Sequence, residues 1–474
     1  MAKVNNETQT AEVRSSFVAA TENTVNVPTP SPLSEKDTAD NIIRTSVVPV
    51  TTDKPRLSAW KRFTGYFTRG GAALRHRNYR LFFTGQLISL VGTWMQNLAQ
   101  GWLVLKLTNS VFDLGLVTSL QFLPVMFLSL FGGVLADRLP KRKTIIITQT
   151  CAMILALVLA TLTMLDVVQV WHVYVLAILL GLVNAFDTPT RQAFVPEMVG
   201  KEDLMNAIAL NSSVFNTARA IGPAVAGVLI GLIGIAPAFW VNGISYIAVI
   251  TGLAMMRPEE FHLGAPRKQT GNIFKNLQEG LVYSGQTPLI LAIVVLVGLM
   301  GTFGINFNVW IPDLAKNHLN VDADGYGVLM AGIGIGALVS ALTLAVKGGR
   351  PKMQSVLKGG LCFAAFILGA ALSPWFWLTF LLLIGVGVSM MIVTVSCNTM
   401  VQLSSPDHLR GRVMSLYMTV FAGTTPIGSL FIGWLASLGG TPFSMSIGAL
   451  LCLSAVPLSW LVLKRKTSTQ VSTN

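Results

Sequence analysis

Residues 112–166 read FDLGLVTSLQFLPVMFLSLFGGVLADRLPKRKTIIITQTCAMILALVLATLTMLD. Two long apolar runs flank a knot of five charges, Asp137, Arg138, Lys141, Arg142 and Lys143, held within seven positions. Each run reaches roughly the 20 apolar residues that a helix needs to cross a hydrocarbon core of about 30 Å. Basic residues crowded between two such runs mark a short loop at one membrane face, so the stretch is a helical hairpin across a bilayer.

The pattern recurs on both sides. Apolar segments lie near 80–104, 112–136, 144–166, 171–190, 207–233 and 237–256, and again near 289–312, 326–346, 354–373, 375–401, 413–437 and 443–463. Composition agrees: beyond the first eighty residues only 36 charges are spread over 394 positions, far below the quarter or so of a soluble domain. So few charges cannot cover a water-facing surface. The expected fold is an all-α polytopic membrane protein of 12 transmembrane helices in two pseudo-symmetric six-helix domains, with the lipid bilayer as its solvent.

Outside the spans, residues 1–70 are rich in Thr, Ser, Asn and Pro and lack a sustained apolar period. They cannot bury enough surface to offset chain entropy, and are expected to form a disordered cytoplasmic tail. The tail has no apolar signal-peptide core, and its seven acids argue against a transit peptide. The remaining boundaries are an N-terminal six-helix domain over 75–256, a polar cytoplasmic linker over 257–287, a C-terminal six-helix domain over 288–463 and a cytoplasmic tail over 464–474.

Orientation follows from the 34 Lys and Arg. With the N-terminus inside, the even-numbered loops and both tails hold 31 of them, Arg219 lies within a span, and only Lys106 and Lys316 face out. Positive loops stay cytoplasmic, so both ends are expected there, in a plasma (inner) membrane. The formal charge of +13 is scattered over short loops rather than gathered in one patch, and calls for no nucleic-acid partner. Cys151, Cys362, Cys397 and Cys452 sit singly in apolar runs, without the paired spacing of a disulfide scaffold or a zinc site.

The halves look related. Asp113-Leu114-Gly115 and Gly325-Tyr326-Gly327 open corresponding spans, and the same shift of 212 positions carries Arg138 onto Arg350. Two parallel repeats about an axis along the membrane normal would give this pattern.

Gly133-Val134-Leu135-Ala136-Asp137-Arg138-Leu139-Pro140-Lys141-Arg142-Lys143 resembles the loop 2–3 signature of the major facilitator superfamily. By that resemblance Gly133, Asp137, Arg138, Lys141 and Arg142 hold the cytoplasmic halves together in one state of a transport cycle; Pro140 stands where a glycine is usual. Arg219-Ala220-Ile221-Gly222-Pro223-Ala224-Val225-Ala226-Gly227 resembles the Gly-Pro motif of that superfamily's antiporters, with Ala226 replacing a glycine. Gly222, Pro223 and Gly227 are therefore candidate bending and close-packing positions. Over about residues 75–460, Asn78-Tyr79-Arg80-Leu81-Phe82, Leu107-Thr108-Asn109-Ser110 and Asp187-Thr188-Pro189-Thr190-Arg191 resemble the transmembrane secretion effector branch, which contains enterobactin exporters and macrolide efflux pumps. An arginine common early in span four of proton antiporters has no counterpart in Trp171-His172-Val173-Tyr174.

Polar side chains in a span are costly, and a regular stripe of them implies a wet or protein-facing surface. Gln86, Ser89, Thr93, Gln96 and Gln100 step by three and four along the first span, flanked by Trp94 and Asn97. Thr302, Asn306, Trp310 and Asp313 do the same along the seventh, so both stripes are expected to line a central cavity, with helix-to-helix hydrogen bonding as the competing reading. Arg219, sharing a face with Ser212, Asn216 and Pro223, is expected to hold an anionic group of the substrate or to set the protonation of a neighbouring acid, with a structural ion pair as the competing reading. Proton coupling needs an acid that can change its charge. Asp113 and Asp187 are the candidates, ahead of Asp313, although Asp187 before Thr188-Pro189 suits a helix cap better.

No phosphate-binding loop for ATP occurs, the five histidines form no ligand pair, and no hydrolase nucleophile motif is present. The expectation is a monomeric, cofactor-free secondary transporter, not an enzyme, that exports an amphipathic siderophore-like or drug-like small molecule by proton antiport. An importer or uniporter of a small metabolite, and a non-transporting sensor or scaffold working through the tail, are the competing functions.

Overall fold

The structure is a computed structural model that describes residues 71–262, 273–347, 350–406 and 409–471. The expected disordered tail and residues 263–272 of the linker lie outside the described residues. After a 3-10 turn at Ala72–Arg75 come α1 (Arg77–Thr108), α2 (Val111–Arg138), α3 (Lys141–Met164), α4 (Val170–Val199), α5 (Leu204–Ile233) and α6 (Ala236–Ala254). The later part holds α7 (Ile273–Gln286), α8 (Pro288–Phe303), α9 (Phe307–Asp313), a π turn at Leu314–His318, α10 (Ala323–Lys347), α11 (Met353–Leu372), α12 (Phe376–Ser404) and α13 (Arg410–Val471). No strand occurs among the described residues. A bilayer dictates this, since a helix satisfies its own backbone groups where no water can.

Ten segments are long and apolar enough to cross a membrane, and the chain is a multi-pass helical membrane protein. One of the ten, running 55 residues from Arg410 to Lys464, is nearly three times the length of a crossing. It breaks at Gly440, whose φ of 82° is open to glycine but strained for other residues. α1 is missing from the ten although its 32 residues rise about 48 Å. Its row of Gln, Asn, Ser and Thr dilutes its apolarity.

Several of the helix contacts are made backbone to backbone. α2 packs on α13, and α5 on α10. A Cβ added at Gly115 would lie 2.3 Å from the Ser429 carbonyl oxygen and 3.2 Å from Gly433 Cα. At Gly327 it would lie 2.6 Å from the Pro223 carbonyl oxygen and 2.8 Å from Gly227 Cα. Gly115 and Gly327 stand at places related by the shift of 212 positions read from the sequence. Such small-residue packing drives helix association where burial of apolar surface from water cannot.

At the end of the bundle away from both termini, the Trp102 and Tyr326 rings stack at 5.9 Å. The Lys316 ammonium donates to Asn109 Oδ1 at 3.0 Å and approaches the Leu105 carbonyl oxygen at 3.5 Å. Asn109 caps α1 with a left-handed φ of 49°, so a cation from the later half sits on the negative end of the α1 dipole. A further hydrogen bond between the halves runs from Arg219 to the Met390 sulfur, 3.7 Å away.

Candidate functional site

The first six helices surround a cavity of about 570 Å³, well within the range that takes a drug-sized ligand. α1 supplies the longest stretch of its wall, from Phe82 to Val104, and α4 a second, from Leu180 to Val195. From the later half only Asn308 of α9 reaches it.

Gln86, Thr93, Gln96, Asn97, Gln100 and Asp187 line this space. Gln96 and Gln100 are buried and bonded across helices: Asn242 Nδ2 donates to Gln96 Oε1 at 2.6 Å, and Gln100 Nε2 to Gln121 Oε1 at 3.4 Å. Asp187 is 5% exposed and caps nothing. α4 continues through Pro189 for three more turns, placing the carboxylate on the cavity side of a helix interior. Its Oδ1 accepts from Thr148 Oγ1 at 2.5 Å and from Gln149 Nε2 at 3.0 Å, and its Oδ2 accepts from Arg191 Nε at 2.5 Å. Arg191 also donates to Gln86 Oε1. One ion pair and three polar side chains thus tie α1, α3 and α4 together at the wall, with the Tyr246 phenol of α6 as the other titratable group lining the space. Paired and hydrogen-bonded in this way, two charges are tolerable where single ones are not.

Arg191 was hidden in the sequence. The Thr188-Pro189 step reads as a helix end, which assigned this cation to a loop. The usable signal is its spacing of four from Asp187, which puts the two on one face if the helix continues.

Other expected site residues lie elsewhere. Arg219 does not line the cavity. Its guanidinium stands 5.6 Å from the Trp94 ring centroid, in reach of cation–π attraction, and it has no ion-pair partner among the described residues. Asn216 is buried and donates to the Ser212 carbonyl oxygen one turn back. Asp113 accepts from the Tyr174 hydroxyl at 2.6 Å, linking α2 to α4 beyond the cavity. The stripe of the seventh span turns away from the cavity towards α13. Ser429 Oγ donates to Asn306 Oδ1 at 3.3 Å and Trp310 Nε1 to Ser444 Oγ at 3.2 Å, while Asp313 accepts from Thr441 and Asn317, each at 2.5 Å.

Of the expected gating set, the α2 helix runs through Gly133, Asp137 and Arg138, whose side chains lie outside the described residues. Lys141 donates to Glu197 Oε1 at 2.7 Å, and Arg142 donates to the Leu253 and Ala254 carbonyl oxygens at 2.7 and 2.8 Å. Both cations are thus tied within the first half, Arg142 at the negative C-terminal end of α6. A Cβ at Gly222 would meet Trp94 Cβ at 2.5 Å, so this glycine seats α5 on α1. Pro223 and Gly227 form the contact with Gly327 described above.

Residues 68–474 match the family described as Transmembrane secretion effector. The chain is 25% identical over 405 residues to the staphyloferrin A transporter of Staphylococcus aureus, covering 80% of this chain and 94% of that one. It is 28% identical over 374 residues to the multidrug efflux pump Tap of Mycolicibacterium fortuitum, covering 76% and 89%. Against the enterobactin exporter EntS of Escherichia coli it is 28% identical over 400 residues, covering 81% and 93%. Among solved structures, the nucleoside transporter NupG superposes with a TM-score of 0.61 at 12% identity, over 83% of this chain and 99% of that one. A peptide transporter crystallised with sulfate gives 0.64 at 11% identity, over 82% and 94%. At such identities the structural likeness concerns the fold alone.

Proposed function

Because the chain belongs to the transmembrane secretion effector family of the major facilitator superfamily, we propose that it exports an amphipathic small molecule from the cytoplasm, in exchange for protons, by alternating access of two six-helix domains. The domains span 75–256 and 288–463 and contribute twelve crossings, α13 counting as two. The protein works as a monomer in the plasma membrane with both termini cytoplasmic, which the sidedness of its basic residues supports. On that orientation the halves meet at the outer end and the cavity belongs to an inward-facing state. Lys141 and Arg142 then exchange partners when the inner end closes.

The observation that carries the reading is the Asp187–Arg191 pair in the cavity wall. With Asp187 charged, the wall is neutral and the pair is satisfied. A proton on Asp187 releases Arg191 as an uncompensated cation beside Gln86, which changes what the cavity will bind. Proton and cargo thereby become competitors, as exchange requires.

The test is a release screen comparing a deletion strain with its complemented parent, with and without a protonophore. The expected result is a compound retained by the deletion strain and released by the parent only while the proton gradient stands. Release unaffected by the protonophore would overturn proton coupling, and identical release profiles would overturn export.

A further inference from the structure

Hydrogen-bonding capacity dominates the cavity wall out of proportion to the chain. Eleven of the thirty lining residues are Asn or Gln, against 35 of 474 in the whole sequence. Some of these amides satisfy one another, as Asn242 does Gln96. Four do not: Asn97, Asn184, Gln192 and Asn308 line the cavity and their side chains make no hydrogen bond within the described residues. Gln149 Oε1 is also buried without a partner.

An amide offers donor and acceptor together and carries no charge. Replacing water over such a wall is unfavourable unless the incoming molecule restores its hydrogen bonds. The formal charges on the wall, Asp187 and Arg191, cancel each other. Aromatic side chains at Phe82, Trp94, Phe122, Phe215 and Tyr246 are also among the lining.

We infer that the cargo is uncharged, has an aromatic or otherwise apolar body, and is dense in hydroxyl or carbonyl groups. The inference rests on the exporter reading for its physiological sense and on the wall for its chemistry. Coupling points the same way. An anion would be drawn to Arg191 once Asp187 is protonated, so proton and anion would travel together. Export against an inward proton gradient needs them to exclude each other, which a neutral cargo suited to the charge-balanced wall achieves. This replaces the anionic cargo suggested by Arg219, which stands outside the cavity.

Three isosteric probes test the inference by calorimetric binding to the purified full-length protein in lipid nanodiscs at neutral pH: 4-methylumbelliferyl β-glucoside, its glucuronide (an anion) and its glucosaminide (a cation). The glucoside is expected to bind about tenfold or more tightly than either charged analogue. Asn97→Ala and Asn184→Ala are each expected to weaken glucoside binding about threefold to tenfold. Neither side chain makes a hydrogen bond within the described residues, so neither change breaks one there. A charged analogue that binds as tightly as the glucoside, a glucoside that does not bind, or variants that bind it unchanged would overturn the inference. Binding is read without a proton gradient, so a protein that prefers the glucoside yet fails the release screen overturns export while leaving the wall chemistry standing.

Discussion

The stripes of polar residues on α1 and on α8–α9 have the same spacing and opposite fates. On α1, Gln86, Thr93, Gln96 and Gln100 line the cavity. On the seventh span, Asn306, Trp310 and Asp313 press against α13, where Ser429, Ser444 and Thr441 answer them. Periodicity identifies the face of a helix that avoids lipid, but it does not say whether water or another helix meets that face. The deciding feature is the partner: α13 offers a hydroxyl to Asn306, Trp310 and Asp313, whereas Gln96 and Gln100 of α1 meet amides at the cavity wall.

Substitutions at Asp187 and Arg191 should break this comparison most forcefully. Arg191→Ala leaves a buried carboxylate without its cation, and unfolding in detergent should reveal a loss of about 3–5 kcal/mol. Combining Asp187→Asn with Arg191→Gln should recover much of that stability while proton-driven release stays abolished. Full release by the double variant would remove the pair from the mechanism.

Asp313→Ala probes the opposite stripe. Leaving Thr441 and Asn317 unanswered should lower stability by about 1–3 kcal/mol, with release per folded molecule close to that of the parent. Lost release at unchanged stability would move the second stripe into the transport path. Lys316→Ala should have the smallest effect. Removing a cation from the end of the α1 dipole is worth about 0.3–1 kcal/mol, roughly a twofold to fivefold shift away from the state closed at that end. Distance distributions between spin labels on the two halves would record it, and an unchanged distribution would show that the Trp102–Tyr326 stack suffices.

The helical membrane fold was legible because lipid leaves the backbone few options, so runs near 144–166 and 354–373 reappear as α3 and α11 with little change. The α1 stripe was legible for the same geometric reason. Arg191 was not, since a proline two residues earlier ordinarily ends a helix, and α4 accommodates Pro189 instead. The surroundings of Arg219 were also out of reach: depth along a helix follows from sequence, but Trp94 and Met390 come to it from distant segments. Nor could charge spacing alone show that Arg142 turns to the end of α6, because a carbonyl at a helix terminus leaves no mark in composition.

The glycine contacts Gly115–Gly433 and Gly227–Gly327 have a mechanical consequence. Main chain touches main chain on two separate helix pairs, α2 with α13 and α5 with α10, the latter again where Gly334 meets Ala220. Sliding one helix along its partner or prising the pair apart would lift a glycine from its socket. Any side chain larger than hydrogen at these glycines would act as a wedge between the helices.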